Sequence, residues 1–192
     1  MSSSITEHIL KQCKDSIGGV NKLYLFPFVN YSRSQITIVD QELTVFPATT
    51  IYDWDSIVTN YTENTSFEGG DVVWTQSFTI QIPKTVITSE VYKLVKQDYR
   101  AIYIDRLGNI RILGLFNGLE ATINNETGTN KADFNGYKVT FAGKEDNQAY
   151  FIDDLDAAGF DIYTIYNFIY DNGLDNIVMD NETDNFILDN SN

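Results

Sequence analysis

The chain has 192 residues, 43% of them apolar and 14% aromatic, and a formal charge of −14. That length accommodates one domain with a substantial core, and 12 Tyr with 12 Phe exclude a disordered chain and favour β structure. So acidic a chain gains nothing from releasing phosphate counterions, which argues against a basic DNA or RNA footprint and against adhesion to an anionic membrane.

Cys13 is the only cysteine and His8 the only histidine. No intrachain disulfide can form, the usual Cys/His zinc sites are excluded, and a catalytic triad would have to be built on His8. No apolar run approaches the roughly 20 residues of a membrane helix, and Met1-Ser2-Ser3-Ser4 leads into a mixed segment. A soluble protein made in the cytoplasm is expected. The charge is unevenly spread: residues 1–149 carry all 13 Lys and Arg against 17 acids, whereas residues 150–192 carry ten acids and no Lys or Arg.

In chain order, Ile5 to Asp15 predicts a short helix with Ile9, Leu10 and Cys13 as its apolar face, within an N-terminal helix or arm over residues 1–19. "VNKLYLFPF" (20–28) predicts a strand, with Pro27 suggesting an edge or a bulge. "QITIVDQELTVF" (35–46) predicts a hairpin or two strands broken at Asp40-Gln41-Glu42. The Thr-, Asp-, Asn- and Tyr-rich stretch from Pro47 to Gly70 predicts a long loop anchored by Trp54.

"DVVWTQSFTIQI" (71–82) is the clearest strand, with Val72, Trp74, Phe78, Ile80 and Ile82 on one face and Gln76 as the polar exception. "TSEVYKLVKQDYR" (88–100) predicts a helix of about three turns, capped by Thr88 or Ser89, with Val91, Leu94 and Val95 inward. From Ala101 a meander of about four strands is expected, with a reverse turn at Asp105–Asn109 and a hairpin at Asn117-Gly118. The fold class is therefore mainly β, a barrel or sandwich built on an antiparallel meander with one packed helix. It divides into an arm (1–19), a β-rich domain (20–152) and an acidic C-terminal segment or assembly arm (153–192).

Two short motifs resemble nucleotide readers: Asn130-Lys131-Ala132-Asp133 spells a guanine-binding signature, and Asp105-Arg106-Leu107-Gly108 spells Asp-x-x-Gly. A phosphate site needs a Gly-rich loop ending in Gly-Lys-Ser/Thr, but Gly143-Lys144 is followed by Glu145. Both motifs read better as turns. Neighbouring acids such as Asp53 and Asp55, Glu145 and Asp146, or Asp153 and Asp154 do not by themselves define the carboxylate separation of a glycosidase. Tyr52, Trp54 and Tyr61 could stack on sugar rings, although Trp54 pinning a loop to the core is the simpler reading.

The tail has its own order: Asp-Asn pairs begin at Asp171, Asp175, Asp180, Asp184 and Asp189, separated by the triplets Ile177-Val178-Met179 and Phe186-Ile187-Leu188. It lacks the glycines of calcium-binding nonapeptides and the closing Glu of an EF-hand, so no metal or other cofactor is expected. Apolar triplets between charged turns suit an arm that docks on a neighbour. With Phe160, Ile162, Ile165, Phe168 and Ile169, the residues of both triplets are the expected assembly contacts.

"GGVNKLYLFPF", "LGLFNGLEATINNETGT" and "FNGYKVTFAGKEDNQAYFI" resemble segments of small β-rich virion proteins of tailed bacteriophages, particularly tail-tube and tail-ring proteins of crAss-like phages. The resemblance spans about residues 16–152 and rests on a pattern of glycines and hydrophobics. It implies a tube-type β fold, rings stacked around a DNA channel, placement in the virion tail or neck, and no catalytic residues. The partners it implies are copies of the same chain and neighbouring virion proteins. An acidic lining that repels DNA phosphate suits such a channel. A capsid decoration or head-fibre protein, or a carbohydrate-binding module for host recognition, are the alternatives.

Overall fold

The run Leu23-Tyr24-Leu25-Phe26 is buried throughout, with Leu23 and Leu25 in one core and Tyr24 and Phe26 in another. Successive strand residues point to opposite faces, so a continuous apolar run marks a strand covered on both sides. Tyr99 to Ile102 behaves in the same way, with Tyr99 and Ala101 facing the first core and Ile102 the second. The computed structural model describes residues 18–54, 57–84, 88–129, 133–163, 169–170 and 177–178, with the backbone alone for 57–59, 88–90 and the last two pairs.

The strands are β1 (Val20–Pro27), β2 (Thr37–Val39), β3 (Glu42–Val45), β4 (Thr49–Asp53), β5 (Ile57–Glu68), β6 (Asp71–Pro83), β7 (Tyr99–Asp105), β8 (Ile110–Leu113), β9 (Glu120–Glu126), β10 (Gly136–Glu145), β11 (Tyr150–Ile152) and β12 (Phe160–Tyr163). A two-strand pair, β13 (Ile169–Tyr170) with β14 (Ile177–Val178), belongs to a separate unit that begins at Ile162. The first unit ends at Asp161, beyond the expected boundary at residue 152.

Eight strands form one sheet in the order β12-β4-β1-β7-β8-β11-β3-β2, and four form a second in the order β5-β6-β10-β9. The second sheet is antiparallel throughout; in the first, β11 and β3 run parallel. The first core lies between the sheets, with Leu23, Tyr99 and Leu113 from one and Phe78, Ile80, Val139 and Phe141 from the other.

The large sheet curls. Six strands separate β4 from β3 inclusively, which in a flat sheet is about 24 Å at ~4.8 Å per step. Yet Val45 and Thr49 are joined by residues 46–48, which span at most ~15 Å. The sheet's ends are therefore drawn together around the second core, where Phe46 and Phe160 stack at 4.9 Å and Phe26 lies against both rings. Backbone bonds from Phe46 to Ala158 (2.8 Å) and from Thr49 to Gly159 (3.0 Å) hold the link. The expected mainly β class holds, and of its two forms the two sheets packed on the first core follow the sandwich; among the described residues no closed barrel forms, because a link and a helical turn bridge the ends instead of a strand ladder.

Other expectations are also corrected. β1 is interior, paired with β4 and β7, and Pro27 is merely its last residue. The stretch read as a long loop forms β4 and β5, because β5 is an edge strand whose outward row (Thr62, Asn64, Ser66) is polar. The turn Gly69-Gly70, at φ 63° and 100°, joins it to β6. The predicted three-turn helix is α1 (Thr88–Lys93) followed by one 3₁₀ turn (Leu94–Lys96), and Val95 points outward. A second helical turn, α2 (Leu155–Ala158), is capped by Asp154 and ends at Gly159 with φ 103°.

The meander is broken in two. β7 and β8 pair in the large sheet, β9 and β10 in the small one, and β11 returns to the large sheet. Asn117-Gly118 is therefore not a hairpin turn; it lies where the chain crosses between sheets, and Leu119 bridges to Tyr99 at the end of the crossing. The expected helix over residues 5–15 lies outside the described residues.

Candidate functional site

The chain passes between the sheets four times, and two of these crossings, residues 114–119 between β8 and β9 and residues 146–149 between β10 and β11, are bound by buried polar side chains. Crossing segments leave the ladders, so their peptide groups need other partners when buried. Four polar side chains supply them. Gln76 of β6, on the inward row with Phe78, Ile80 and Ile82, accepts the Gly114 N–H at 2.9 Å and donates to the Asn147 carbonyl at 3.3 Å. Its register partner Glu63 of β5 accepts from Gln76 Nε2 at 3.3 Å and from the Ala149 N–H at 2.7 Å.

Glu145 ends the inward row Tyr137, Val139, Phe141 of β10 and accepts the N–H groups of Phe116 and Asn117 through one oxygen, each at 2.9 Å. Burial pushes its pKa above the ordinary carboxylate value, against the pull of those two donors and of the Arg100 charge. Gly143, on the same row, is where the crossing backbone lies on the strand: a Cβ there would meet the Gly118 carbonyl oxygen at 2.2 Å.

Arg100 of β7 faces the second core and is 1% exposed. Its Nε donates to the Leu115 carbonyl at 2.9 Å, and its guanidinium lies over Phe28 at 4.2 Å, with Phe46 at 5.3 Å and Tyr31 at 5.4 Å. Burial lowers its pKa to about 10, so it stays charged at neutral pH. These four side chains form a clamp on the two crossings, bonding mainly to backbone, while Arg100 Nη1 is buried without a hydrogen-bond partner among the described residues.

A cavity of about 280 Å³ opens between Gly19, Val20, Asn60, Tyr61, Tyr103 and Asp105. Its floor is the Tyr61–Tyr103 ring pair, with centroids 4.7 Å apart. Burial pushes the Tyr103 phenol up to about 12 and Tyr61 higher still, so both stay neutral. The Asp105 carboxylate at its edge is engaged by Leu107 N, Asn109 N and Asn109 Nδ2 at 2.7–2.9 Å. Burial raises its pKa, but these hydrogen bonds outweigh that and hold it below the usual range. A second depression of about 470 Å³ lies by Asp98, Asn117, Glu120 and Lys144.

At the far end of β5 the hairpin projects. β10 pairs with β6 only as far as Trp74, so the pairs Ser66–Val73, Phe67–Val72 and Glu68–Asp71 extend past it. Phe67 is 84% exposed and Val72 41%. Lys144 holds Glu68 by both carboxylate oxygens, at 2.7 and 2.8 Å, which lowers the Glu68 pKa.

The residues singled out from the sequence fall in several places. Phe160 is a core residue at 2% exposure, so it is not available as an assembly contact. Ile162 is exposed on β12, Ile169 pairs with Val178, and Ile177 pairs with Tyr170. Ile165, Phe168, Met179, Phe186, Ile187 and Leu188 lie outside the described residues. Trp54 is half-buried against the first core and donates its N–H to Leu23, so it closes β4 where a loop anchor was expected. Tyr61 turns inward and Tyr52 outward.

Asp133 of the guanine-like motif accepts the Thr129 N–H at 2.8 Å within its own loop; Asn130, Lys131 and Ala132 lie outside the described residues. Among the described residues no cluster of His, Cys, Asp and Glu is placed to hold a metal ion, and no helix is long and apolar enough to cross a membrane. Of the clamp, Gln76 left a trace in the sequence as the polar exception on an apolar face, and Glu145 was met there only as one of two neighbouring acids. Comparisons with protein-family models, with curated proteins and with solved structures yield no match to this chain.

Proposed function

We propose that the chain is a structural component of a tailed-phage virion, part of an oligomeric ring or tube in the tail or neck through which DNA passes, with no catalytic role. The observation that carries this reading is the β5–β6 hairpin, which projects past its neighbours in a sheet whose two edge strands, β5 and β9, each have a side unpaired among the described residues. A projecting hairpin and free strand edges are surfaces that a monomer normally blunts and that an assembly covers. Rigid crossings suit a part that bears load without moving. The net charge of −14 suits a surface near DNA that must not hold it.

A capsid decoration or head-fibre protein would share these features without enclosing a channel. The carbohydrate-binding alternative finds less support, because Trp54 and Tyr61 face the first core. Electron microscopy of the purified full chain tests the proposal. Closed rings of uniform copy number are the expected result, and a protein that stays monomeric at every concentration overturns it.

A further inference from the structure

The Tyr61–Tyr103 cavity and the exposed Phe67 lie on the same strand. Asn60 and Tyr61 line the cavity, and Phe67 stands six residues further along β5, about 20 Å away at ~3.3 Å per residue. Paired with β6 over this whole stretch, the strand cannot fold Phe67 back into its own cavity. The cavity's 280 Å³ exceeds the ~150 Å³ that takes up a benzene ring, and its aromatic floor suits another ring.

Charged groups stand at both features: Asp71 at the hairpin tip, and at the cavity rim Arg106 next to the Asp105 carboxylate that Leu107 and Asn109 hold. Asp71 stands opposite Glu68 at the hairpin tip, one position beyond the Phe67–Val72 pair, and no ion pair engages it among the described residues. At the cavity, the Arg106 side chain lies over Gly19, its Nε 3.2 Å from where a Cβ would stand, and it likewise has no ion pair among the described residues. Among the described residues Arg106 is therefore a cation without an ion pair at the cavity rim, and the Asp105 carboxylate next to it is already engaged by its own turn.

We propose that the hairpin tip is the knob of a head-to-tail contact between copies of this chain, with Phe67 entering the Tyr61–Tyr103 cavity of the next copy and Asp71 meeting its Arg106. Knob and socket are different surfaces of the same subunit, so the contact is heterologous: it closes a ring where the rotation permits and otherwise extends a filament. An aromatic side chain filling a pocket, with a charge pair beside it, is the usual make-up of an interface hot spot. This inference rests on the assembly reading above and names the contact that would build the ring.

Sedimentation velocity on the full chain and on four variants tests it: Phe67→Asp, Asp71→Arg, Arg106→Glu, and the combined Asp71→Arg/Arg106→Glu. All three positions are exposed, and circular dichroism checks that each variant keeps its β structure. Phe67→Asp is expected to weaken assembly by about 30-fold or more. Each charge reversal alone should weaken it, and the combined variant should recover most of the loss. If the wild-type chain assembles and all four variants assemble equally well, the contact is overturned while the assembly reading stands. If the wild-type chain never assembles, both fall together.

Discussion

Gln76 and Gly114 are joined by a hydrogen bond of 2.9 Å that ties the small sheet to the backbone leaving the large one. The same side chain reaches Asn147 between β10 and β11, so one buried amide spans two of the passages between sheets. Replacing Gln76 with Leu preserves volume but leaves the Gly114 N–H and the Asn147 carbonyl without their partner. The expected cost is about 3 kcal/mol, the range for orphaned buried polar groups. Urea denaturation should show a lower midpoint with an unchanged slope.

Glu145 offers a pH test. Its folded pKa is raised above the ordinary value of 4.5, with burial as the leading cause. The folded state therefore holds this proton more tightly than the unfolded state, so the stability linked to Glu145 is greatest below the unfolded value and falls as pH rises through the folded pKa. Glu145→Gln keeps an acceptor oxygen for Phe116 and Asn117 and removes the titration. Its stability relative to wild type should grow from acid to neutral pH. Glu145→Ala should lose about 3 kcal/mol in acid, because two backbone donors are orphaned, and the loss should shrink toward neutral pH as the wild type gives up the stability linked to its proton. Thermal melts of the three proteins across pH would check both slopes.

Arg100 separates packing from charge. Breaking a buried charged group's surroundings costs several kcal/mol, whereas replacing it with an apolar group of similar volume is often neutral. Arg100→Ala should cost about 4 kcal/mol through the cavity left among Phe28, Tyr31 and Phe46. Arg100→Met should cost clearly less, about 1 to 2 kcal/mol, since it fills the aromatic box without a charge to desolvate but leaves the Leu115 carbonyl without its donor. Chemical denaturation of the two variants side by side gives the comparison.

Deleting residues 171–192 should leave the β body folded, because the first unit ends at Asp161, and should weaken assembly if the acidic segment is an arm. The far-ultraviolet β signal is expected to persist while rings become fewer by electron microscopy. Unchanged ring formation would remove the arm from the proposed assembly and leave the hairpin contact as its candidate.

What the sequence determined by itself was the β class and the strands with a clean period of two. β6 alternates, Tyr137, Val139 and Phe141 of β10 share a face, and Asp40-Gln41 turns with φ 48° and 70° between β2 and β3. Such patterns are local, so they survive without knowledge of the partner strand. Tertiary structure decided which sheet each strand joins. Asn117-Gly118 has the chemistry of a hairpin, yet Leu119 pairs with Tyr99 and sends the chain across to the other sheet. β5 was hidden because an edge strand with a polar outward row has the composition of a loop until eleven pairs with β6 define it. The clamp was equally obscure. Glu63, Glu145 and Arg100 resemble ordinary surface charges, and they become interior groups only where folding brings the unpaired backbone of two crossings against them. A side chain's partners across some 30 to 90 positions are set by how the sheets meet, and no periodicity along the chain encodes that meeting.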